Sequence, residues 1–262
     1  MPTAGDNAML ALLRWYIEMG ADEAIAQRPV DRLAPPAPAP AAREPVAVPR
    51  RAAPVLGGSA QSARLMASAA ETVEALEAAI AAFEGCALKH TATTTVFADG
   101  NPSAPVMIVG EAPGAEEDRT GRPFVGRAGQ LLDRMLAAIG LDRNTVLITN
   151  VIYWRPPGNR TPTAAEIASC LPFVLRHVAL VAPKVLVLAG GTAAGALLPQ
   201  GGGITRLRGR WFELDVPGLD RPVPTLPMFH PSFLLRAPER KREAWRDLLT
   251  LRARLDELLS GG

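Results

Sequence analysis

The chain has 262 residues, of which 48% are hydrophobic and 21% charged, a composition that suits a water-soluble protein with one well-packed domain and appendages. Its 28 Lys and Arg against 26 Asp and Glu leave a formal charge of only +2, so overall charge does not by itself indicate a nucleic-acid-binding protein. No run approaches the roughly 18 consecutive apolar residues of a membrane helix and no secretory leader is recognisable, so we expect a cytoplasmic protein.

The first 60 residues are expected to stand apart from the main domain. Apolar residues recur at helical spacing over residues 7–26, which predicts one amphipathic helix within a segment spanning 1–28. Residues 29–60 are rich in Pro and Ala, cannot bury enough apolar area to fold, and are predicted to be an extended linker. The helix either docks on the main domain or serves as an arm for a protein partner, and the sequence favours neither.

The main domain is predicted over residues 61–262. An alanine-rich helix is expected over 62–83, because Gly85 is a natural stop. Strands are then predicted at 106–109, 146–152, 185–188 and 225–229, and helices at 128–139, 164–181, 192–198 and 239–259. The strands lack polar alternation, which indicates that both faces are covered. We therefore predict an α/β fold, a three-layer α/β/α sandwich around a mostly parallel sheet of four strands.

Four segments rich in glycine or polar residues follow the predicted strands. They are a Gly-Glu-Ala-Pro-Gly turn at residues 110–114, a loop that carries Phe124, Asn150 at the end of a strand, and a His-Pro-Ser turn at residues 230–232. Right-handed crossovers place the carboxyl ends of parallel strands at one edge of the sheet, where open α/β folds bind ligands. We expect all four segments to converge there despite their separation along the chain.

This set of segments resembles the uracil-DNA glycosylase superfamily, and within it the family 4 enzymes. The resemblance covers roughly residues 83–236 and is specific, because it includes GEAPGAEEDRTGRPFVGRAG at 110–129 and RPPGNRTP at 155–162. It implies a DNA repair enzyme that flips uracil out of DNA and hydrolyses its N-glycosidic bond, leaving an abasic site. No strand cleavage is expected, since no lysine nucleophile is visible in the predicted pocket.

Breaking an N-glycosidic bond puts positive charge on the sugar and negative charge on the departing base, so the site must stabilise both. His230 can donate a hydrogen bond to a base carbonyl as it becomes anionic, the role that the resemblance implies. Glu111 is the first candidate to position water or stabilise the sugar cation, and Glu117 is the second. For His230 the alternative is a histidine that only caps the turn before Pro231. Glu116 and Asp118, on either side of Glu117, are interpreted as solvated loop charges.

Three residues are predicted to bind uracil. Asn150 can pair with the imide N–H and an adjacent carbonyl of uracil while presenting the wrong pattern to cytosine. Phe124 offers a ring on which a flat base can stack. Ala112 fills the position where family 1 enzymes have an aspartate, so that water-positioning carboxylate is absent. The ordinary alternatives are an asparagine that caps a turn and a phenylalanine in the core.

DNA contacts are expected at the turns of Pro113 and Ser232, at Asn159, and at loop arginines near the active edge, namely Arg155, Arg160, Arg206, Arg208, Arg210 and Arg236. Such contacts to phosphates give affinity without reading sequence. Leu234 or Leu235 is expected to fill the gap left by the flipped nucleotide, or alternatively to pack in the core at the start of the last helix.

Family 4 enzymes usually hold a four-iron cluster with four cysteines, and those positions in this chain read Phe83, Cys86, Trp154 and Cys170. Two thiolates cannot supply four ligands, and the two aromatic side chains can occupy the volume. We therefore expect no iron-sulfur cluster, and no other metal or cofactor, since no zinc-ligand spacing or P-loop is present. The Gly-Gly-Thr segment at residues 190–192 is interpreted as a tight turn before a helix.

Two functions from different classes are compatible with these residues. The first is a monofunctional uracil-DNA glycosylase, and the alternative is a protein that binds or senses uracil in DNA with slow or no turnover. In both cases the expected partner is uracil-containing DNA, and we expect a monomer.

Overall fold

The computed structural model describes residues 58–198 and 202–260. These residues belong to one compact unit, Val55–Gly262. The predicted N-terminal helix and nearly all of the Pro- and Ala-rich tract lie outside the described residues. The predicted division of the chain near residue 60 therefore stays a prediction.

A six-stranded sheet forms the middle layer of the domain. In spatial order its strands are β1 (Ala98–Gly100), β3 (Val146–Asn150), β2 (Val106–Gly110), β4 (Val185–Ala189), β6 (Val223–Met228) and β5 (Phe212–Leu214). The four inner strands are parallel to one another, and β1 and β5 are antiparallel to their neighbours. The predicted α/β class and the four inner strands are confirmed. The predicted strand count of four is wrong, because the two outer strands are short and lack an apolar run.

Helices lie on both faces of the sheet, as the predicted sandwich requires. They are α1 (Gly58–Ala69), α2 (Val73–Ala82), α3 (Ala115–Thr120), α4 (Arg127–Ala137), α5 (Ala164–Val181), α6 (Gly191–Leu197), α7 (Ile204–Leu207), α8 (Pro231–Arg236) and α9 (Lys241–Ser260), with 3-10 turns at Ala87–His90, Pro157–Asn159 and Pro238–Arg240. The single helix predicted over 62–83 is in fact two. Thr72 starts the second one, since its side chain accepts a hydrogen bond from the N–H of Ala75 at 3.1 Å.

Two hydrophobic clusters sandwich the sheet. Along β4, Val185 and Val187 belong to one cluster while Leu186 and Leu188 belong to the other. Successive side chains of a strand point to opposite faces, so each inner strand contributes to both clusters. This two-sided burial explains the uninterrupted apolar runs in the sequence.

One described helix, α5, is long and apolar enough to cross a membrane by length and composition. It packs within the domain instead, where Cys170, Phe173, Val174 and Val178 are buried in the core. The core helix of a globular domain passes the same test, so α5 is only a weak indication of a membrane span.

The register of the parallel strands brings the predicted site segments together. Gly110 at the end of β2 pairs with Asn150 at the end of β3. Ala189 at the end of β4 pairs with Met228 at the end of β6, two residues before His230. The loops that carry the candidate catalytic residues therefore leave neighbouring strands at one edge of the sheet.

His177 on α5 is a buried histidine away from this edge. Its ring stacks on Phe97 with centroids 4.6 Å apart, and neither ring nitrogen has a hydrogen-bond partner among the residues described. Burial lowers its pKa from 6.5 to about 4. As pH falls from 6.5 toward 4, the unfolded chain therefore takes up a proton before the folded one does, and stability is lost over that interval.

We expect His177→Phe to flatten this pH dependence. The substitution removes the titrating group and keeps an aromatic ring against Phe97. The measurement is the free energy of unfolding in urea at about pH 7.5 and at about pH 5. Between these two pH values it should fall by about 2 kcal/mol less in the variant than in the parent chain. His90 offers a control, since its side chain is exposed and removing it leaves the buried ring in place, so His90→Gln should change the pH dependence far less than His177→Phe does. A variant that still loses as much stability as the parent would contradict this account.

Candidate active site

A cavity of about 560 Å³ opens at the carboxyl edge of the sheet. Its lining includes eleven of the predicted site residues, namely Glu111, Ala112, Pro113, Glu117, Phe124, Asn150, Asn159, Arg160, His230, Ser232 and Arg236. The strand-end segments therefore meet around one space, as their positions in the sequence predict. Gly190, Gly191, Ile204, Phe229 and Phe233 also line it, although the sequence analysis did not assign them to the site.

Asn150 is the last residue of β3 and is only 1% exposed. Its side-chain oxygen Oδ1 is buried and has no hydrogen-bond partner among the described residues. Leaving a buried acceptor unpaired costs about 1–3 kcal/mol, so a native site that retains one calls for an explanation. A ligand that brings a donor into the cavity supplies that explanation.

Gly110 allows Asn150 and Phe124 to approach each other. A Cβ atom at Gly110 would lie 2.4 Å from Asn150 Oδ1 and 2.5 Å from the Phe124 ring, distances that no real side chain tolerates. Only glycine therefore fits at the end of β2. The buried amide and the ring share this one corner of the cavity.

Phe124 has a strained backbone, with φ at 55°, in the left-handed region that non-glycine residues rarely occupy. Its ring is 4% exposed and its centroid lies 5.4 Å from that of His230, with the planes tilted by 31°. The ring belongs to a core cluster and also lines the cavity, so the core and stacking interpretations are compatible. Strained residues of this kind are concentrated at ligand-binding sites.

His230 lies at the N-terminus of α8, where its Nδ1 accepts a hydrogen bond from the backbone N–H of Ser232 at 3.1 Å. The Ser232 hydroxyl also lies 2.8 Å from Nδ1. Because the backbone N–H can only donate, its contact favours the tautomer in which Nδ1 accepts and Nε2 carries the proton. Burial, and then the charge of Arg236, lowers the pKa of His230 to about 4. At neutral pH the ring is thus a neutral donor with a fixed tautomer. Nδ1 caps the helix, and Nε2 of the same ring carries the proton that can be donated.

Glu111 follows β2 directly and its carboxylate lies at the cavity. The carboxylate oxygen Oε2 accepts a hydrogen bond from Thr192 Oγ1 at 2.5 Å. Thr192 stands on α6, which follows the adjacent strand β4. The Gly-Gly-Thr turn follows a strand of the same parallel set, and this position in the sequence already indicates that Thr192 lies at the same edge of the sheet as Glu111.

Glu117 is 8% exposed and its carboxylate holds two loops together. Oε2 accepts from the backbone N–H of Gly114 at 3.0 Å, and Oε1 accepts from those of Val125 at 2.9 Å and Gly126 at 2.8 Å. These bonds join the Gly-Glu-Ala-Pro-Gly turn to the loop that carries Phe124. We refer to this arrangement as the Glu117 clasp.

Asp118 is buried and not solvated, contrary to the interpretation drawn from the sequence. Its Oδ1 accepts hydrogen bonds from the backbone N–H groups of Thr93 at 2.8 Å and Thr94 at 3.1 Å. Glu116, which precedes the clasp residue, is exposed and pairs with Arg119. Adjacent acidic residues therefore have unrelated roles.

The predicted cations differ in their availability to a ligand. Arg160 makes a bidentate pair with Glu166, at 2.9 and 2.7 Å, and this pairing with Arg160 is the main reason that the pKa of Glu166 falls to about 2. Arg155 Nε donates to Asn159 Oδ1 at 2.8 Å, which orders the loop on that side of the cavity. Arg236 is exposed at the rim.

Arg208 is a structural residue, contrary to the prediction that it contacts DNA. Its guanidinium donates to the buried carboxylate of Asp247, with Nε 2.9 Å from Oδ2, and to the carbonyl oxygen of Glu243 at 2.7 Å. It also lies 5.2 Å over the ring of Phe229. These contacts attach the last helix to the end of β6.

The predicted wedge is narrowed to one leucine. Leu234 is 1% exposed and lies in the core cluster that includes Leu248 and Leu251 of α9. A side chain buried to this degree cannot enter DNA without leaving the core, so its assignment as a wedge is wrong. Leu235 is only half-buried and remains the candidate.

The position expected of a metal cluster is filled by packed side chains. Phe83 and Trp154 stack with centroids 6.5 Å apart, and Phe83 meets Phe173 edge-on at 5.1 Å. Cys86 and Cys170 are buried free thiols, and the neighbouring Cys86 together with burial raises the pKa of Cys170 well above its usual range. Two thiols beside aromatic carbon do not fit a four-ligand cluster. Within residues 58–198 and 202–260, no cluster of His, Cys, Asp or Glu is placed to hold a metal ion.

The part of the chain that forms this cavity is similar in sequence to known proteins. Residues 97–249 match the profile of the Uracil DNA glycosylase superfamily. The type-4 uracil-DNA glycosylase of Thermotoga maritima is 41% identical over 167 residues, which cover 63% of this chain and 84% of that protein. The type-4 uracil-DNA glycosylase of Archaeoglobus fulgidus is 40% identical over 162 residues, 60% of this chain and 80% of that protein.

We expect Glu117→Gln to loosen the Phe124 loop. The amide keeps the shape of the side chain but replaces a charged acceptor with a neutral one, and it has only one oxygen for three N–H groups. Native-state hydrogen exchange should therefore show the amides of Val125 and Gly126 exchanging about tenfold to a hundredfold faster, as the loss of charge-assisted bonds predicts.

The matched control is Glu116→Gln, one residue earlier. This carboxylate is exposed and its pair with Arg119 is a surface pair, so exchange at Val125 and Gly126 should be unaffected. Equal exchange in the Glu117 variant and the parent would show that the clasp does not hold the loop.

Proposed function

Because the chain belongs to the uracil DNA glycosylase superfamily, we propose that it flips uracil out of DNA and hydrolyses the bond between the base and deoxyribose. The products are free uracil and an abasic site in an uncut strand. Family membership itself makes the chain a uracil-DNA glycosylase, a hydrolase of base excision repair.

The observation that carries the proposal is the unpartnered buried oxygen of Asn150 beside the ring of Phe124. The N3–H group of uracil is a donor of the kind that this oxygen lacks. Cytosine presents an unprotonated N3 and would leave Asn150 Oδ1 unpaired, which disfavours its binding. Stacking on Phe124 holds the flat base while this edge is read.

His230 stabilises the departing base. Its Nε2–H is free to donate to a carbonyl oxygen of uracil, since Nδ1 is occupied by Ser232. A neutral donor interacts moderately with the neutral base and more strongly with the anion that forms as the bond breaks. A donor used in this way is worth about 3–4 kcal/mol in the transition state.

Glu111 is the carboxylate that acts on the sugar side. Ala112 offers no carboxylate, and the Glu117 carboxylate already accepts three backbone hydrogen bonds. Glu111 lines the cavity. Its Oε2 is bound by Thr192, and its Oε1 has no hydrogen bond to the described residues. It can position the attacking water or stabilise positive charge on the sugar.

DNA lies across the rim of the cavity. Backbone groups of the Pro113 and Ser232 turns and the side chains of Arg155, Asn159, Arg160 and Arg236 contact phosphates. Leu235 occupies the space that the flipped nucleotide leaves in the duplex. The proposed partner is uracil-containing DNA, and we propose that the protein acts as a monomer in the cytoplasm. A protein partner for residues 1–28 stays a prediction.

The proposal is tested with an end-labelled oligonucleotide that contains one uracil, as a single strand and opposite G or A. We expect strand breaks only after alkali treatment, because the enzyme leaves an abasic site and does not cut. Tight binding without breaks after alkali would favour the alternative, a protein that senses uracil. Breaks without alkali would contradict the monofunctional mechanism.

His230→Asn is the sharpest variant in the same assay. Asparagine is a good helix N-cap, so it can keep the acceptor for Ser232 while its shorter side chain withdraws the donor that faces the base. We expect single-turnover excision to slow by about a hundredfold or more, with DNA affinity little changed. A rate close to that of the parent would assign the donor to another residue.

The protein functions without an iron-sulfur cluster, since Phe83 and Trp154 fill two of the four ligand positions. We expect the purified enzyme to contain far less than one iron atom per chain by mass spectrometry. Prolonged treatment with an iron chelator should leave excision unchanged. A preparation with stoichiometric iron that loses activity on chelation would contradict this proposal.

A further inference from the structure

The turn at Gly190–Thr192 contacts two of the candidate catalytic residues. A Cβ atom on Gly190 would lie 3.0 Å from the Cβ of His230, and Thr192 Oγ1 lies 2.5 Å from Glu111 Oε2. Gly190 has φ at 100° and ψ at 170°, a combination that is open essentially only to glycine. The turn thus has a backbone suited to close approach at the cavity.

We propose that Thr192 is a positioning residue that fixes the carboxylate of Glu111 through its hydroxyl group. The inference rests on the proposed function, in which Glu111 acts on the sugar side. The Thr192 hydroxyl is the hydrogen-bond partner that the described part of the chain provides to this carboxylate. Without it, a glutamate with three rotatable side-chain bonds has no fixed orientation in a cavity of about 560 Å³.

The Thr192 hydroxyl has no competing structural duty at the start of α6. The residue that caps this helix is Gly190, and no side chain takes part in the cap. The hydroxyl instead crosses to a residue 81 positions away in the chain. It donates to Oε2 and leaves Oε1 for a water molecule or the sugar. One oxygen of Glu111 therefore fixes the position of the carboxylate, and the other is available for the reaction.

The test compares Thr192→Val with Thr192→Ser. Valine keeps the branched shape and removes the hydroxyl, whereas serine keeps the hydroxyl. We expect Val to lower kcat on uracil-containing DNA by about tenfold or more with KM little changed, as the loss of a hydrogen bond to a charged group predicts. Ser should restore the rate to within about threefold of the parent. If the Val variant folds poorly, Thr192→Ala supplies the same comparison.

A double-mutant cycle separates positioning from general packing. In a Glu111→Gln background, Thr192→Val should cause little further loss, because the carboxylate through which Thr192 acts is gone. A full additional tenfold loss there would overturn the inference, as would a parent-like rate for Thr192→Val alone.

The same cycle separates this inference from the proposed function. A slow Glu111→Gln variant beside a parent-like Thr192→Val variant would overturn only the role of Thr192. A Glu111→Gln variant that excises uracil at the parent rate would overturn both the role of Glu111 and that of Thr192. Absence of excision by the parent chain would overturn the proposed function itself.

Discussion

The site depends on one close approach, in which the side chains of Asn150 and Phe124 both occupy the space where a Cβ atom of residue 110 would lie. Parallel pairing of β2 with β3 sets the position of Asn150, and the left-handed backbone of Phe124 turns its ring toward the same point. Any side chain at residue 110 would push the ring and the amide apart. The glycine is therefore a requirement of the cavity, since strand β2 by itself would be stabilised by a larger residue.

The strained conformation of Phe124 is held from two sides. The Glu117 clasp binds the backbone N–H groups that follow Phe124, and the guanidinium of Arg143 donates to the carbonyl oxygens of Pro123, at 3.1 Å, and of Phe124. A non-glycine residue in this region costs about 1–3 kcal/mol, and charge-assisted hydrogen bonds on both sides offset that cost. The charges of Glu117 and Arg143 therefore serve the geometry of this loop. Glu111 differs from them, since its carboxylate bonds to a single hydroxyl.

The sequence predicts those parts of the fold and the site that correspond to a pattern of neighbouring residues. Apolar runs without alternation identify the four inner strands, and the handedness of crossovers places their loops at one edge. The outer strands β1 and β5 show no such pattern, because each has only three residues and is partly exposed. Spacing also cannot separate Glu111 from Glu117, since the difference lies in which carboxylate meets backbone N–H groups after folding. The partners of Thr192 and Arg208 are missed for the same reason, since they lie 81 and 39 positions away. The Gly-Gly-Thr turn places Thr192 near the edge of the sheet but does not show which carboxylate its hydroxyl meets.

His177 and His230 have the same lowered pKa, and the comparison shows why titration alone does not identify a site. His177 is neutral because it is buried, and its ring serves as an aromatic surface against Phe97. His230 is neutral for the same main reason, but its Nδ1 is fixed by Ser232 and its ring borders the cavity. Desolvation of His230 thus has a second consequence. A positively charged ring would attract phosphate and neutral base alike. A neutral N–H group with a fixed tautomer binds the departing base more strongly as negative charge develops on it. The neutral ring of His230 and the ring on the strained loop lie side by side, with centroids 5.4 Å apart, so the Phe124 loop and the tautomer of His230 serve the same step of the proposed mechanism.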